Sequence, residues 1–284
     1  MFPAPIARAD RGLRIAYRTA LMLGLAIWLL PLFGVALTSL RSIDDLNRGN
    51  FWGWPSELRL VENYSAVFLD TRMSQFVLNS VLITLPAVAG AVALACMAGF
   101  ALAKFRFRGN LALFTIFIAG NLVPFQILMI PVRNLALDLH LYDTRWALIL
   151  FHIAFQTGFC TLFMRNFIKQ LPDAMLDAAR VEGLSELQVF WHIVLPLVRP
   201  AIAAIAALTF TFVWNDYFWS LVLVQSDDVR PLTAGIQSLR GMWLASWNLI
   251  SAGSIIAAIP PVLVFFLMQK HFIAGLTANS ESDE

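Results

Sequence analysis

The chain has 284 residues, of which 59% are hydrophobic and 13% charged, with a mean hydropathy of +0.72. A soluble domain carries about 25% charged residues, so this composition excludes a soluble globular protein and points to several membrane spans. The net charge of +2 is too small to imply a nucleic-acid partner. Cys96 and Cys160 both fall inside apolar runs and do not form an extracellular disulfide framework.

Residues 1–18 are polar and basic, with Arg8, Arg11, Arg14 and Arg18, and read as a cytoplasmic N-terminal segment. The charge-free run 19–40 follows. It exceeds a signal-peptide core and no small-x-small cleavage site follows it, so it reads as the first span. Residues 41–72 are an outer loop with an interfacial aromatic cluster at Phe51, Trp52 and Trp54. The second span, 74–103, is longer than the roughly 20 residues a bilayer needs, and Pro86 supplies a place to kink. It ends in the basic turn Lys104-Phe105-Arg106-Phe107-Arg108-Gly109.

The third span is 110–131, with Asn121, Pro124 and Gln126 interrupting its outer half, and the fourth is 145–167. The fifth, 200–224, contains Trp214-Asn215-Asp216-Tyr217-Phe218-Trp219. Asp216 is the one acidic residue placed at membrane depth, where a charge faces a protein interior, a watery path or the interface. The sixth, 249–269, carries Pro260-Pro261, which break helical hydrogen bonds and predict a kink or a compensating partner. Residues 277–284 form a polar, acidic cytoplasmic tail.

Charge orients this topology. Arg8, Arg11, Arg14, Arg18, Lys104, Arg106, Arg108, Arg165, Lys169, Arg180, Arg199 and Lys270 fall on the side assigned to the cytoplasm. The remaining eight basic residues fall outside and include no lysine. The fold class that follows is an all-α polytopic membrane protein. It has six transmembrane helices in a single domain over 19–276, both termini cytoplasmic, and a polar stretch between spans four and five.

That stretch, 171–196, reads as two short helices. Pro172 suits a first turn, Asp173 places negative charge at the positive helix end, and Gly183 is a natural stop. Ser185 and Gln188 have the spacing of a capping box for the second helix. Ala178, Ala179 and Gly183 are small, with Asp177, Arg180 and Glu182 around them. Such a helix serves as a docking element whose small residues admit a close backbone, or as an amphipathic loop on the membrane surface.

Here the residues meet a family pattern. Asp177-Ala178-Ala179, Gly183 and, after nine further residues, Ile193-Val194-Leu195-Pro196 resemble the EAA motif of ABC importer permeases, with Asp177 in place of glutamate. Asn79-Ser80, the run Ala101 to Gly109, Trp214-Asn215-Asp216 and Ala274-Gly275-Leu276-Thr277 are similar to signatures of the second permease of maltose-type carbohydrate importers. The resemblance implies a bacterial inner-membrane subunit that pairs with a second permease. Two ATP-binding subunits would drive it, and an extracytoplasmic solute-binding protein would deliver a sugar-type substrate. Asp177, Ala178, Ala179, Arg180, Glu182, Gly183, Ile193, Leu195 and Pro196 would then couple to the ATPase through a cytoplasmic coupling helix. The loop from Gln225 to Asn248 would touch the binding protein.

The chain itself should bind no cofactor, with ATP and magnesium used by the partner ATPase. Its only lysines, Lys104, Lys169 and Lys270, follow no glycine, so no Walker A loop is present. No metal-ligand spacing, His-Glu-x-x-His or Gly-x-Ser-x-Gly appears. Sugars offer hydroxyls to amides and C–H faces to aromatic rings. Asn121, Gln126, Gln156, Trp214, Asn215, Asp216 and Trp219 are therefore candidates for the substrate pathway, against interfacial anchoring or helix–helix hydrogen bonding. An ion-coupled secondary transporter or a non-transporting scaffold are the competing functions. The first needs paired intramembrane ionisable residues, and only Asp216 qualifies.

Overall fold

The computed structural model describes residues 11–239 and 246–277. Arg8, Arg240 and the acidic tail beyond Thr277 therefore lie outside the described residues. All regular structure among the described residues is helical: α1 (Arg11–Ser39), α2 (Ile43–Asn47), α3 (Leu60–Leu69), α4 (Met73–Lys104), α5 (Asn110–Leu122), α6 (Met129–Asp138), α7 (Arg145–Lys169), α8 (Asp173–Val181), α9 (Glu186–Val189), α10 (Arg199–Trp214), α11 (Phe218–Leu223), α12 (Leu232–Gly235) and α13 (Trp247–Thr277). Among the described residues, four helices are long and apolar enough to cross a membrane on their own. Two bent pairs raise the number to as many as six.

The described residues up to Thr71, with those between Leu239 and Ile256, make one compact unit. Its long helix α1 is exposed over nearly its whole apolar length, as a lipid-facing helix is. The loop after it is built on the buried Arg41. Its guanidinium donates to the carbonyls of Asn50, at 2.5 Å, and of Gly53. Asn63, also buried, donates to the carbonyls of Ser39 and Arg41 and accepts from the amide of Asn248. The Asp45 carboxyl is held below its ordinary value, first by the backbone N–H of Ser56, which donates to Oδ2 at 2.8 Å. Trp52 and Trp54 in this loop are exposed.

The second unit runs from Arg72 to Ser238 and resumes at Ala257. Its spine is the packing of α4 against α7. Small residues line the contact, with Ala91, Ala95 and Cys96 buried on α4. At Gly99 a β-carbon would lie 3.0 Å from the backbone nitrogen of Arg165, so glycine is what lets the two backbones approach. α10 packs on the same helices through Ala201 and Ile205, completing one core with Phe100, Met164 and Ile168.

Two expected spans differ from straight helices. The run 110–131 is not one rod. α5 stops at Leu122, Pro124 precedes a 3-10 turn over Phe125–Leu128, and α6 leaves at 91° to α5. The run 200–224 breaks after Trp214 and restarts at Phe218. Elsewhere Pro86 and Pro260-Pro261 lie within unbroken α4 and α13.

Candidate functional site

The polar stretch folds as a helix–turn–helix held by its own caps. Pro172 occupies the position before α8 rather than its first turn, with ψ at 127°, and Asp173 begins the helix. The end is a Schellman motif. Gly183 has φ +90°, its N–H bonds the carbonyl of Arg180, and the N–H of Leu184 reaches back to Ala179. Ser185 and Gln188 then form the reciprocal capping box of α9. After α9 the chain widens into a π-turn, Phe190–Val194, in which Leu195 N–H bonds the carbonyl of Phe190. Pro196 follows directly and has no N–H to continue an α-helical ladder, which accounts for the widened turn there. α10 then departs at 75°.

One face of α8 is anchored and the other is free. Leu176 and Ala179 are buried against the core that contains Phe100, Met164, Val189 and Val194. Ala174, Ala178 and Val181 lie at i, i+4 and i+7, forming one exposed stripe, and Val181 is 89% exposed. Asp177 and Glu182 flank it in solvent. Arg180 bridges the two helices. Nε and Nη2 donate to the two carboxylate oxygens of Glu186 at 2.7 and 3.1 Å, and Nη1 donates to Asp177 at 2.7 Å. These bonds, to Glu186 first, raise the Arg180 pKa further above its ordinary value. The EAA-type pattern thus divides. Asp177, Ala178, Glu182 and Gly183 face outward, Ala179 is core, and Ile193, Leu195 and Pro196 are half-buried, the first two packed on that core.

The helix is also tied from below. Lys104, at the end of α4, donates to Asp173 and to the carbonyl of Leu171. The Asp173 carboxyl sits below its ordinary value, chiefly through that hydrogen bond and then through the ammonium charge.

The two interrupted spans meet elsewhere in the unit. Phe125, at the α5–α6 bend, packs edge-on against Phe155 of α7 and Phe218 of α11. Trp219 lies against Phe151, with ring centres 3.9 Å apart. Breaks in backbone hydrogen bonding are tolerated at membrane depth only where protein or a wet cavity surrounds them. Asp216 resolves its own break. Its carboxylate accepts from the N–H groups of Trp219 and Ser220 at 3.3 and 3.1 Å and from the Ser220 hydroxyl at 3.2 Å, so it caps α11. His152 Nε2 stands 3.6 Å from it, and His152 Nδ1 is buried with no hydrogen-bond partner among the described residues.

The expected pathway residues do not gather into one lining. Trp214 is buried, stacks on Phe210 and donates through Nε1 to the carbonyl of Ala257 at 3.0 Å. Trp219 is buried in the aromatic cluster. Asn121 and Asn215 are exposed, and each turns its amide onto its own helix, at Phe117 and Thr211. Gln126 is exposed on the 3-10 turn, and Gln156 is half-buried.

Residues outside the coupling stretch and the expected pathway set also hold the structure. Asn79 is fully buried. It donates to the carbonyls of Asp228 and Arg230 and accepts from Arg145 Nε, while Ser80 accepts from the N–H of Leu232. The Asn79-Ser80 pair thereby clamps the segment 228–232. Asp143, with φ +59°, fixes Gln225 and Ser226 just before that segment. Burial opposes its ionisation, but the N–H groups of Ser226 and Gln225 outweigh it and the pKa is lowered. Among the described residues, no three His, Cys, Asp or Glu side chains come together to hold a metal.

Comparison with known proteins places this architecture. Residues 72–277 match the family model described as "binding-protein-dependent transport system inner membrane component". The chain is 35% identical over 260 residues to the osmoprotective compounds uptake permease protein GgtD of Synechocystis sp., covering 89% of this chain and 87% of that protein. It is 33% identical to the arabinooligosaccharides transport system permease protein AraQ of Halalkalibacterium halodurans, covering 88% and 89%. It is 30% identical to the sn-glycerol-3-phosphate transport system permease protein UgpE of Yersinia pestis, covering 95% and 98%. In fold it superposes on a chain of a bacterial ABC transporter involved in the import of the acidic polysaccharide alginate. The TM-score there is 0.80 at 24% identity, over 93% of this chain and 99% of that one. An all-helical fold with this core, matched over these lengths, makes the chain a member of the binding-protein-dependent inner membrane component family and a permease subunit of an ABC importer.

Proposed function

We propose that this permease takes up a sugar or sugar derivative as one half of a heterodimer with a second permease. α8 is its coupling helix to an ATP-binding subunit. The observation that carries the coupling role is the split face of α8: Leu176 and Ala179 lock it to the core that α4, α7 and α10 share, while the stripe of Ala174, Ala178 and Val181 is exposed among the described residues. A helix so fixed transmits a rigid-body displacement to the helices before and after it. Both termini and α8 would face the cytoplasm, in keeping with the arginines in the first turns of α1 and the basic ends of α4 and α7. ATP and magnesium would belong to two separate ATPase subunits, and an external solute-binding protein would deliver substrate. The carbohydrate class is supported by relatives named for arabinooligosaccharides and glycerol phosphate.

The substrate-facing residues favoured by the geometry are Gln126 and Gln156. Gln126 borders the aromatic cluster, and neither has a side-chain hydrogen bond among the described residues. The test of coupling is a cysteine at Ala178 cross-linked in the assembled importer. A product with the ATP-binding subunit whose yield changes on nucleotide addition supports it. A cysteine that reacts with a membrane-impermeant maleimide from outside the cell overturns it. Uptake into vesicles that runs on an ion gradient without ATP would favour the secondary-transporter reading instead.

A further inference from the structure

A cleft of about 700 Å³ opens at the turn between α4 and α5, and nothing in the coupling role uses it. Three arginines line it, Arg106, Arg108 and Arg165, and no acidic side chain does. Arg106 and Arg108 make no hydrogen bond or ion pair among the described residues. Arg165 is held in place, its guanidinium carbon 3.8 Å from the centre of the Phe114 ring and its Nε 3.4 Å from the carbonyl of Leu102. The opposite wall is the first turn of α5, where the N–H groups of Leu111 and Ala112 have no carbonyl to bond. Asn110 fixes that wall by donating its amide to the carbonyls of Leu102 and Phe105 at 3.2 and 2.9 Å. Three arginines and a helix N-terminus bordering one space make a site for a phosphate or another compact oxyanion.

The surroundings choose among anions. Phe107 and Leu111 at the rim are 44% and 72% exposed. α5 packs along α7 on one side, while Leu111, Leu113, Ile116 and Leu122 on it are exposed, so an apolar face rises from the cleft. A ligand with a charged head and an acyl body fits both parts. We infer that this cleft binds the headgroup phosphate of an anionic phospholipid, with the acyl chains lying along α5. The anion chemistry stands on the cleft alone, whereas assignment to the inner leaflet rests on the topology proposed above. Basic clusters at the cytoplasmic ends of spans bind such lipids through the same forces.

The test uses the assembled importer in nanodiscs with a photoactivatable phosphatidylglycerol. Labelling should map to residues 105–114 and be displaced by unlabelled phosphatidylglycerol, not by phosphatidylcholine or millimolar inorganic phosphate. The R106Q/R108Q variant should assemble normally and lose labelling there by roughly thirtyfold. Labelling unchanged in that variant, or equal displacement by phosphatidylcholine, overturns the site. Displacement by inorganic phosphate makes it a free-anion site, and protection only when an ATP-binding subunit is bound makes it a protein contact. Either result overturns the lipid. Reaction of Arg108→Cys with impermeant maleimide from outside intact cells would overturn the leaflet and the topology while leaving the nanodisc result to decide the cleft.

Discussion

The ammonium of Lys104 lies 2.7 Å from Oδ1 of Asp173 and 2.6 Å from the carbonyl oxygen of Leu171. The lysine side chain is 5% exposed and the aspartate 79%, so the tie has a buried end and a wet end. Removing the buried end leaves the Leu171 carbonyl without its donor, whereas removing the wet end costs only a screened pair. Lys104→Met should therefore lower the melting temperature of the detergent-purified importer more than Asp173→Asn does. Equal shifts would show that the carbonyl bond contributes nothing.

The same pair sets a pH dependence. Asp173 has its pKa lowered on folding, so its stabilising effect is full above the unfolded carboxylate value of about 4 and is lost as pH falls through the lower folded value. Melting temperature on the acid side should fall less steeply for Asp173→Asn than for the wild type. Superimposable acid limbs would show that this pair does not contribute to acid stability.

Gly183 stops α8 at φ +90°, and a β-carbon there would meet nothing within 4 Å. The cost of substitution is therefore backbone strain, about 1–2 kcal/mol for an ordinary L-residue and less for asparagine. Thermal stability should rank Gly183, then Asn, then Ala, then Val. A ranking by side-chain volume alone, with Ala above Asn, would mean that space and not conformation selects glycine.

Asn79 fastens the segment 228–232 from the first turns of α4. Asn79→Asp keeps the shape but turns two donated bonds into facing acceptors, so it should be worse than Asn79→Ala. Leaving such groups unsatisfied costs about 1–3 kcal/mol each. Limited proteolysis should cut between residues 225 and 232 faster in both variants, with Asp the fastest.

Asp216 tests a cap against a pathway. If its role is the α11 cap, Asp216→Asn retains acceptor capacity and most uptake, whereas Asp216→Ala loses about 1 kcal/mol or more of local stability. Equal loss of uptake in both, with unchanged melting, would place the charge itself in the pathway.

Much of this was readable from residue types with local consequences. Gly183, Ser185, Gln188 and Asp173 act within one helical turn, so spacing along the chain suffices to place α8, its stop and the next cap. What depended on facing was not readable. In segments apolar on every side, Trp214 and Trp219 give no sign of which way they point, and both proved to be interior. Hydropathy also measures length without direction, which is why the 91° bend after Leu122 was hidden although Pro124 marked its position. His152 looked like one of four scattered histidines because its partner, Asp216, lies on another helix.

The exposed stripe on α8 is the proposed contact that drives the importer, and Val181, 89% exposed, is the residue at which to test it. The measurement is binding-protein-stimulated ATP hydrolysis and substrate uptake by the assembled complex carrying Val181→Asp. A charge buried at an interface centre costs about 2 kcal/mol or more, so both activities should fall by roughly thirtyfold while the permease inserts and melts as wild type. Wild-type hydrolysis and uptake in that variant would contradict the claim.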